Sequence, residues 1–266
     1  MLFRSLDRAQ VVAVDRQGRW QARMDTASMV DPAIEHSVQA WSAEPPAISD
    51  ARTFRVARRW RPLVAIDDPV GDDAGRDRRY RYPTDPGWRR RPLDLHGARL
   101  EASGGSLRIA VRMNAISTGW NPANGFDRVA FAIHIELPDR DGGATAMPLQ
   151  RARLPDGMRW HYRLRVGGWS NALFSADGAD AGNEGTPVAG AATIQVDPET
   201  STISFSVPAS ALGHPAGLAG ARVHVSTWDW DGGWRRLAPE PGSHAFGGGG
   251  DGDALIMDEL VLAVPA

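Results

Sequence analysis

Apolar side chains recur at every second position over long stretches of this chain, a period that strands satisfy and helices do not. Leu107, Ile109, Val111 and Met113 alternate with Arg108, Ala110 and Arg112; Val129, Phe131, Ile133 and Ile135 alternate with Ala130, Ala132 and His134. The same spacing runs through Tyr162, Leu164 and Val166, through Ile203, Phe205 and Val207, and through Val223 and Val225 ahead of Trp228. Successive strand residues face opposite sides, so each segment has one face to bury. No segment sustains a 3.6-residue period over the length of a helix. The connections are rich in turn formers: the chain has 29 Gly, 19 Pro, and 24 Asp against 8 Glu. Asp favours turns and caps whereas Glu favours helix interiors. The prediction is an all-β protein whose main body, residues 66–266, is an antiparallel two-sheet β-sandwich of jelly-roll type. Gly247-Gly248-Gly249-Gly250 forms a flexible loop before the closing strand, 255–264.

Residues 1–57 read as a small N-terminal β unit. Val12 and Val14 predict one short strand, Asp15-Arg16-Gln17-Gly18 a hairpin turn, and Trp20, Ala22 and Met24 a second strand; Val38 with Ala40 and Phe54 with Val56 complete the unit. About four strands are visible where an immunoglobulin-like sandwich has ~7. The pattern resembles the second half of a bacterial Ig-like module, or else a hairpin layer packed on the main body. Residues 58–65, beginning Arg58-Arg59-Trp60-Arg61-Pro62-Leu63, read as a linker.

Composition narrows the function classes. A net charge of −2 gives no global field toward nucleic acid or acidic membranes. Without Cys, disulfides, thiol catalysis and Cys-ligated metals are excluded. No apolar run approaches the ~20 residues of a membrane span. Met1-Leu2-Phe3-Arg4-Ser5 does not open a signal peptide, so either the protein stays inside or this is the tail of a longer exported chain, and the second is the expectation. There is no Gly-x-Ser-x-Gly elbow, no His-Glu-x-x-His zinc motif and no phosphate-binding Gly-x-x-x-x-Gly-Lys. Met113 and Met257 would need a matching His placement to hold haem, and none is evident. His134 and Glu136 share a strand face, which is commonly structural.

Two clusters carry chemistry. In Asp67-Asp68-Pro69-Val70-Gly71-Asp72-Asp73-Ala74-Gly75, carboxylates crowd a stretch bent by Gly and Pro. Like charges at that density need solvent or a cation between them. Asp68, Asp72 and Asp73, with Asp258 from the last strand, are candidate ligands for a structural calcium ion; the plainer alternative is that they cap turns. The second cluster is Trp228-Asp229-Trp230-Asp231-Gly232-Gly233-Trp234. Indoles stack on the C–H faces of sugars, and Trp228 and Trp230 at i and i+2 would share one strand face. Trp228, Trp230, Trp234, Asp229 and Asp231 are the candidate carbohydrate-binding residues, with ordinary packing as the competing reading. Trp120, Trp160 and Trp169 are further candidates for stacking, though taken singly such indoles read as packing residues, Trp120 and Trp169 as core or loop plugs. The Arg clusters at 78–79, 89–91 and 235–236 sit among Asp residues and read as a salt-bridged face rather than a nucleic-acid surface.

Several of these pieces occur in a familiar order. Asp68-Pro69-Val70-Gly71-Asp72-Asp73-Ala74-Gly75, then Tyr80-Arg81-Tyr82-Pro83-Thr84, Asp94-Leu95, Asn121-Pro122-Ala123-Asn124-Gly125-Phe126, Gly167-Gly168-Trp169, Val207-Pro208 and Ile256-Met257-Asp258 follow one another along the chain. From Ile66 onward it resembles the C-terminal domain of glucodextranase-like proteins, a group placed among DOMON-like β-sandwiches. Arg76-Asp77-Arg78-Arg79 departs from the shorter connection expected there. The resemblance implies a non-catalytic module that binds carbohydrate, an α-glucan or a cell-wall glycan. It implies attachment to a secreted or surface-held glycoside hydrolase, with the catalytic domain lying upstream. A cell-wall anchoring module without a sugar pocket, or a fragment of a glycoside hydrolase, are the alternatives.

Overall fold

A computed structural model of the protein describes residues 10–26 and 28–266. The opening pentapeptide read above for leader character lies outside them. The main body is the expected two-sheet antiparallel β-sandwich. One sheet has six strands in the order Thr186–Val188, Ser170–Ser175, Tyr162–Gly167, Ala130–Glu136, Arg222–Trp228, Asp258–Ala263. The other has five, in the order Thr193–Asp197, Thr202–Val207, Ser106–Met113, Leu95–Ser103, Arg61–Asp67. The apolar residues of the alternating segments meet between the sheets. Phe131 of one sheet packs edge-on against Phe205 of the other at 5.2 Å between centroids. Leu107, Ile109, Val111, Ile133, Ile135, Val223 and Val225 are all fully buried around them. Each such side chain contributes roughly 1.5–3 kcal/mol by leaving water.

The outer face of the six-stranded sheet is also covered. The chain between 138 and 160 folds back over it and builds a second small core from Met147, Leu154, Met158, Trp160 and Ile256. Beneath this flap a polar row crosses three adjacent strands. Arg163 pairs in register with His134, and His134 with His224, and all three are buried. Arg163 is held by Glu184 at 2.7 Å and His224 by Glu259 at 2.8 Å. Neither ring nitrogen of His134 has a partner. Burial, with His224 and Arg163 beside it, holds its pKa well below the usual value. The neighbouring Glu136 pairs with Arg222 at 2.6 Å, so this His–Glu strand face is structural.

Residues 58–65 are not a free linker. Arg61–Asp67 is the edge strand of the five-stranded sheet, paired with Leu95–Ser103 through a bulge between Pro62 and Val64. Ahead of it, ladders join His36–Val38 to Arg52–Phe54 and Trp41–Ser42 to Ala47–Ile48. The predicted turn at Asp15 forms, with the Asp15 carboxylate accepting from the backbone N–H groups of Gln17 and Arg19 at 2.8 and 2.9 Å. The strands predicted on either side of it do not. Among the described residues no ladder joins 10–14 to 20–24, and Val11, Val14, Trp20 and Met24 are exposed. Alternation there meets no apolar surface, and alternation without burial does not hold a strand pair together.

Candidate functional site

The sandwich carries two candidate sites that match the clusters singled out in the sequence. The first is acidic. After the edge strand the chain turns back on itself through Gly71, whose φ of 82° favours glycine. The Gly71 N–H donates to both carboxylate oxygens of Asp94, at 3.0 and 3.1 Å. Gly75 N–H donates to the carbonyl of Met257 at 2.9 Å, tying the loop to the residue that leads into the last strand. A side chain at Gly75 would collide with the Tyr80 ring, since a Cβ there would lie 2.3 Å from it.

This folding gathers Asp68, Asp72 and Asp258, with one carboxylate oxygen of each lying within 4.8 Å of the others. Asp68 Oδ2 and Asp72 Oδ1 are buried and lack hydrogen-bond partners. Asp258 accepts from the Leu95 N–H at 2.7 Å and from the Glu259 N–H at 2.8 Å. Burial together with Asp68 and Asp72 pushes the Asp258 pKa up to about 8. Burial together with Asp72 and Asp94 pushes Asp68 up to about 6. Three converging carboxylates, all hard oxygen donors with open lone pairs, fit a calcium-type cation and no softer metal.

Asp73 does not join them. It turns away to pair with the Arg91 guanidinium and to accept from the Tyr82 hydroxyl. A buried carboxylate next to an Arg is already neutralised, and its neighbour in sequence points the opposite way. Asp94, which the acidic run does not contain, is instead the buried carboxylate that shapes the loop.

The second site is a groove of about 580 Å³ at one end of the sandwich. Three loops build it: 117–129, the hairpin turn at Gly168-Trp169, and 229–235. Trp120, Trp169 and Trp230 line it together with Arg128, Arg235, Asp229 and Asp231. Gly167 pairs in register with Ser170, so only two residues make the hairpin turn and Trp169 stands at its tip, 57% exposed. Gly168 must be glycine, because a Cβ would lie 2.7 Å from the Phe126 carbonyl oxygen. Trp120 is 41% exposed, and its backbone N–H donates to the Asp127 carboxylate at 2.6 Å. Arg128 lies 4.1 Å from the Trp120 ring centroid, and Arg165 lies 4.1 Å from that of Trp230. These cation–π contacts fix the tilt of both rings.

The predicted Trp228–Trp234 cluster divides between groove and core. Trp228 is fully buried, packed 4.4 Å from Phe246, with its indole N–H donating to the Arg235 carbonyl at 2.8 Å. It anchors the loop and presents no face to a ligand. Trp234 is half-buried against the core and stands edge-on to Trp230 at 5.0 Å. Asp229 is buried in an ion pair with Arg235, and Asp231 is exposed and also faces Arg235 at 3.3 Å. Burial raises the Asp229 pKa although Arg235 opposes the shift. Trp120 and Trp169 do not plug the core. Both are open indoles, and the Gly-Gly pair before Trp169 was the signal that could have marked a projecting hairpin tip.

The model of a family described as the C-terminal binding-module, SLH-like, of glucodextranase matches residues 63–264. The chain belongs to this family. The members of this glucodextranase module family are binding modules rather than catalytic domains, and the match covers both sites and nearly all of the sandwich. It begins inside the edge strand Arg61–Asp67 and leaves residues 1–62 outside it. No curated protein matches the chain. Among the described residues, no helix is long and apolar enough to cross a membrane.

Proposed function

We propose that this chain is a non-catalytic carbohydrate-binding and surface-attachment module of a secreted polysaccharide-degrading protein, stabilised by calcium. The observation that carries the reading is the convergence of three exposed or half-exposed indoles on one groove, in a family of binding modules. Exposed aromatics gathered in one patch mark an interaction site, and sugar rings are suited to cover them. The Asp68–Asp72–Asp258 cluster supports the calcium assignment, because its buried, unpartnered oxygens are costly without a cation. The family description supports a place at the cell surface, joined to a glycoside hydrolase. Tethering would raise the effective concentration of the enzyme at its polymer even if the module binds weakly.

Co-sedimentation tests this. The full chain with calcium is mixed with insoluble starch, cross-linked dextran and purified cell-wall sacculi. Retention on at least one, with no reducing sugar released, is the expected result; no retention on any of them removes the proposal. A second reading, attachment without a sugar groove, draws on the SLH-like description alone. It predicts retention on sacculi that survives loss of Trp169.

A further inference from the structure

We infer that the groove between Trp120, Trp169 and Trp230 takes a neutral glycan and rejects acidic polymers; this rests on the carbohydrate reading above and narrows it. Every cation at the groove already has a carboxylate partner. Arg128 faces Asp85 at 3.4 Å and Asp127 at 3.9 Å. Arg235 pairs with Asp229 and with Asp231. Arg165, stacked on Trp230, is held by Glu184 at 2.9 Å. The lining therefore carries two Arg and two Asp, with no net charge. A uronate or phosphate would have to break one of these pairs to find a counterion, and breaking a desolvated pair leaves the displaced carboxylate uncompensated. The most exposed ionic group is the Asp231 carboxylate, whose side chain is 76% exposed. It accepts from hydroxyl groups and repels anions. An anion-binding groove would place Arg or Lys at its rim instead.

What the groove does offer is flat apolar area with hydroxyl partners around it: the faces of Trp120 and Trp169, the Asp231 carboxylate and the side chain of Ser170. Alternating apolar C–H faces and equatorial hydroxyls are the chemistry of neutral hexose polymers. Arg128 and Arg165 stack on Trp120 and Trp230, and Arg235 is held by Asp229 and Asp231, so the arginines orient the wall rather than grip the ligand. Three stretches, 120–129, 167–170 and 229–235, come together at this groove although they lie far apart along the chain.

The test is isothermal titration of the full chain, with calcium, against two sets of soluble polymers. Dextran, pullulan and amylose oligomers form the neutral set; polygalacturonate and a polyol-phosphate teichoic polymer form the acidic set. The expected result is binding to a neutral polymer only, with an affinity that changes less than twofold between 50 and 500 mM salt. Trp169→Ala, at an exposed hairpin tip, is expected to weaken it at least tenfold. Intrinsic tryptophan fluorescence of the unaltered chain, shifted by the same neutral polymer, gives a readout that needs no variant. Binding confined to acidic polymers, or steep salt dependence, overturns the inference while leaving the binding-module reading intact. Neutral binding that survives the Trp120→Ala/Trp169→Ala double substitution overturns the location. Absence of binding to either set, together with failure of the co-sedimentation, removes both.

Discussion

The side-chain amide of Asn124 donates to the carbonyl oxygen of Gly167 at 2.7 Å, and the same nitrogen reaches Ser170 at 3.1 Å. One residue thus pins the loop bearing Trp120 to both shoulders of the hairpin bearing Trp169. Asn124→Ala removes both bonds, each worth about 1 kcal/mol. The expected outcome is a loss of about 1–2 kcal/mol in unfolding free energy by urea titration, with glycan affinity reduced about tenfold because the two indoles lose their spacing. The response to calcium should be unchanged.

Calcium binding is checked by thermal melting with and without chelator. At a hundredfold excess over its dissociation constant the ion adds about 2.7 kcal/mol, roughly 5–10 °C for a domain of this size. Asp258→Asn and Asp68→Asn should each abolish that increment. Asp73→Asn should keep it while lowering the melting point in both conditions, since Asp73 serves Arg91 and Tyr82 rather than the cluster.

The same site sets a pH dependence. Without an ion, Asp258 titrates at about 8 and Asp68 at about 6, so an entering cation displaces protons below those values. Calcium affinity should therefore climb between pH 6 and pH 8, measured by titration calorimetry in buffers of different ionisation enthalpy. In chelator the sign reverses for stability. A carboxylate with a raised folded-state pKa holds its proton more tightly when folded, so the chain gains stability from these groups as pH falls through 8 toward 6.

His134 works in the opposite direction. Its pKa is depressed in the folded chain by burial and by His224 and Arg163, so below the ordinary histidine value the unfolded chain takes up a proton that the folded chain refuses. That contribution is favourable at neutral pH and fades as pH drops below about 6.5. His134→Leu should flatten the fall in stability between pH 7 and pH 5 relative to the parent chain, measured by denaturant titration at constant calcium.

Trp169 and Trp228 separate ligand contact from packing. Trp228→Ala opens a cavity beside Phe246 and should cost about 3–5 kcal/mol. Trp169→Ala should change stability by no more than about 0.5 kcal/mol, while glycan affinity falls at least tenfold. Equilibrium unfolding curves for the two variants distinguish them.

The sandwich was legible because its strands are half-apolar and half-polar, a pattern that specifies both the element and its face. The runs at 107–113, 129–135, 203–207 and 223–228 lie where alternation puts them. It misled at Val14, Trp20 and Met24, where the same pattern meets solvent. At the acidic loop, residue type was readable but direction was not: Asp72 and Asp73 are adjacent, and only the position of Arg91 decides which of them faces Asp258. At the groove, Trp228 could not be told from Trp230 in the sequence, because its burial depends on Phe246 folding over it from another loop. Asn124 and Asp94 were visible only as members of a matching pattern, since their roles are set by backbone atoms distant in sequence.

Asp68 leaves the edge strand of one sheet and Asp258 opens the edge strand of the other, so an ion held between them would sew the two sheets along a single seam. Any force carried down the chain into Arg61–Asp67 arrives at that seam first. Edge strands peel one backbone bond at a time, whereas three carboxylates gripping one ion must let go together. A module built this way would hold under tension where calcium is plentiful and would unzip from its leading edge where it is scarce.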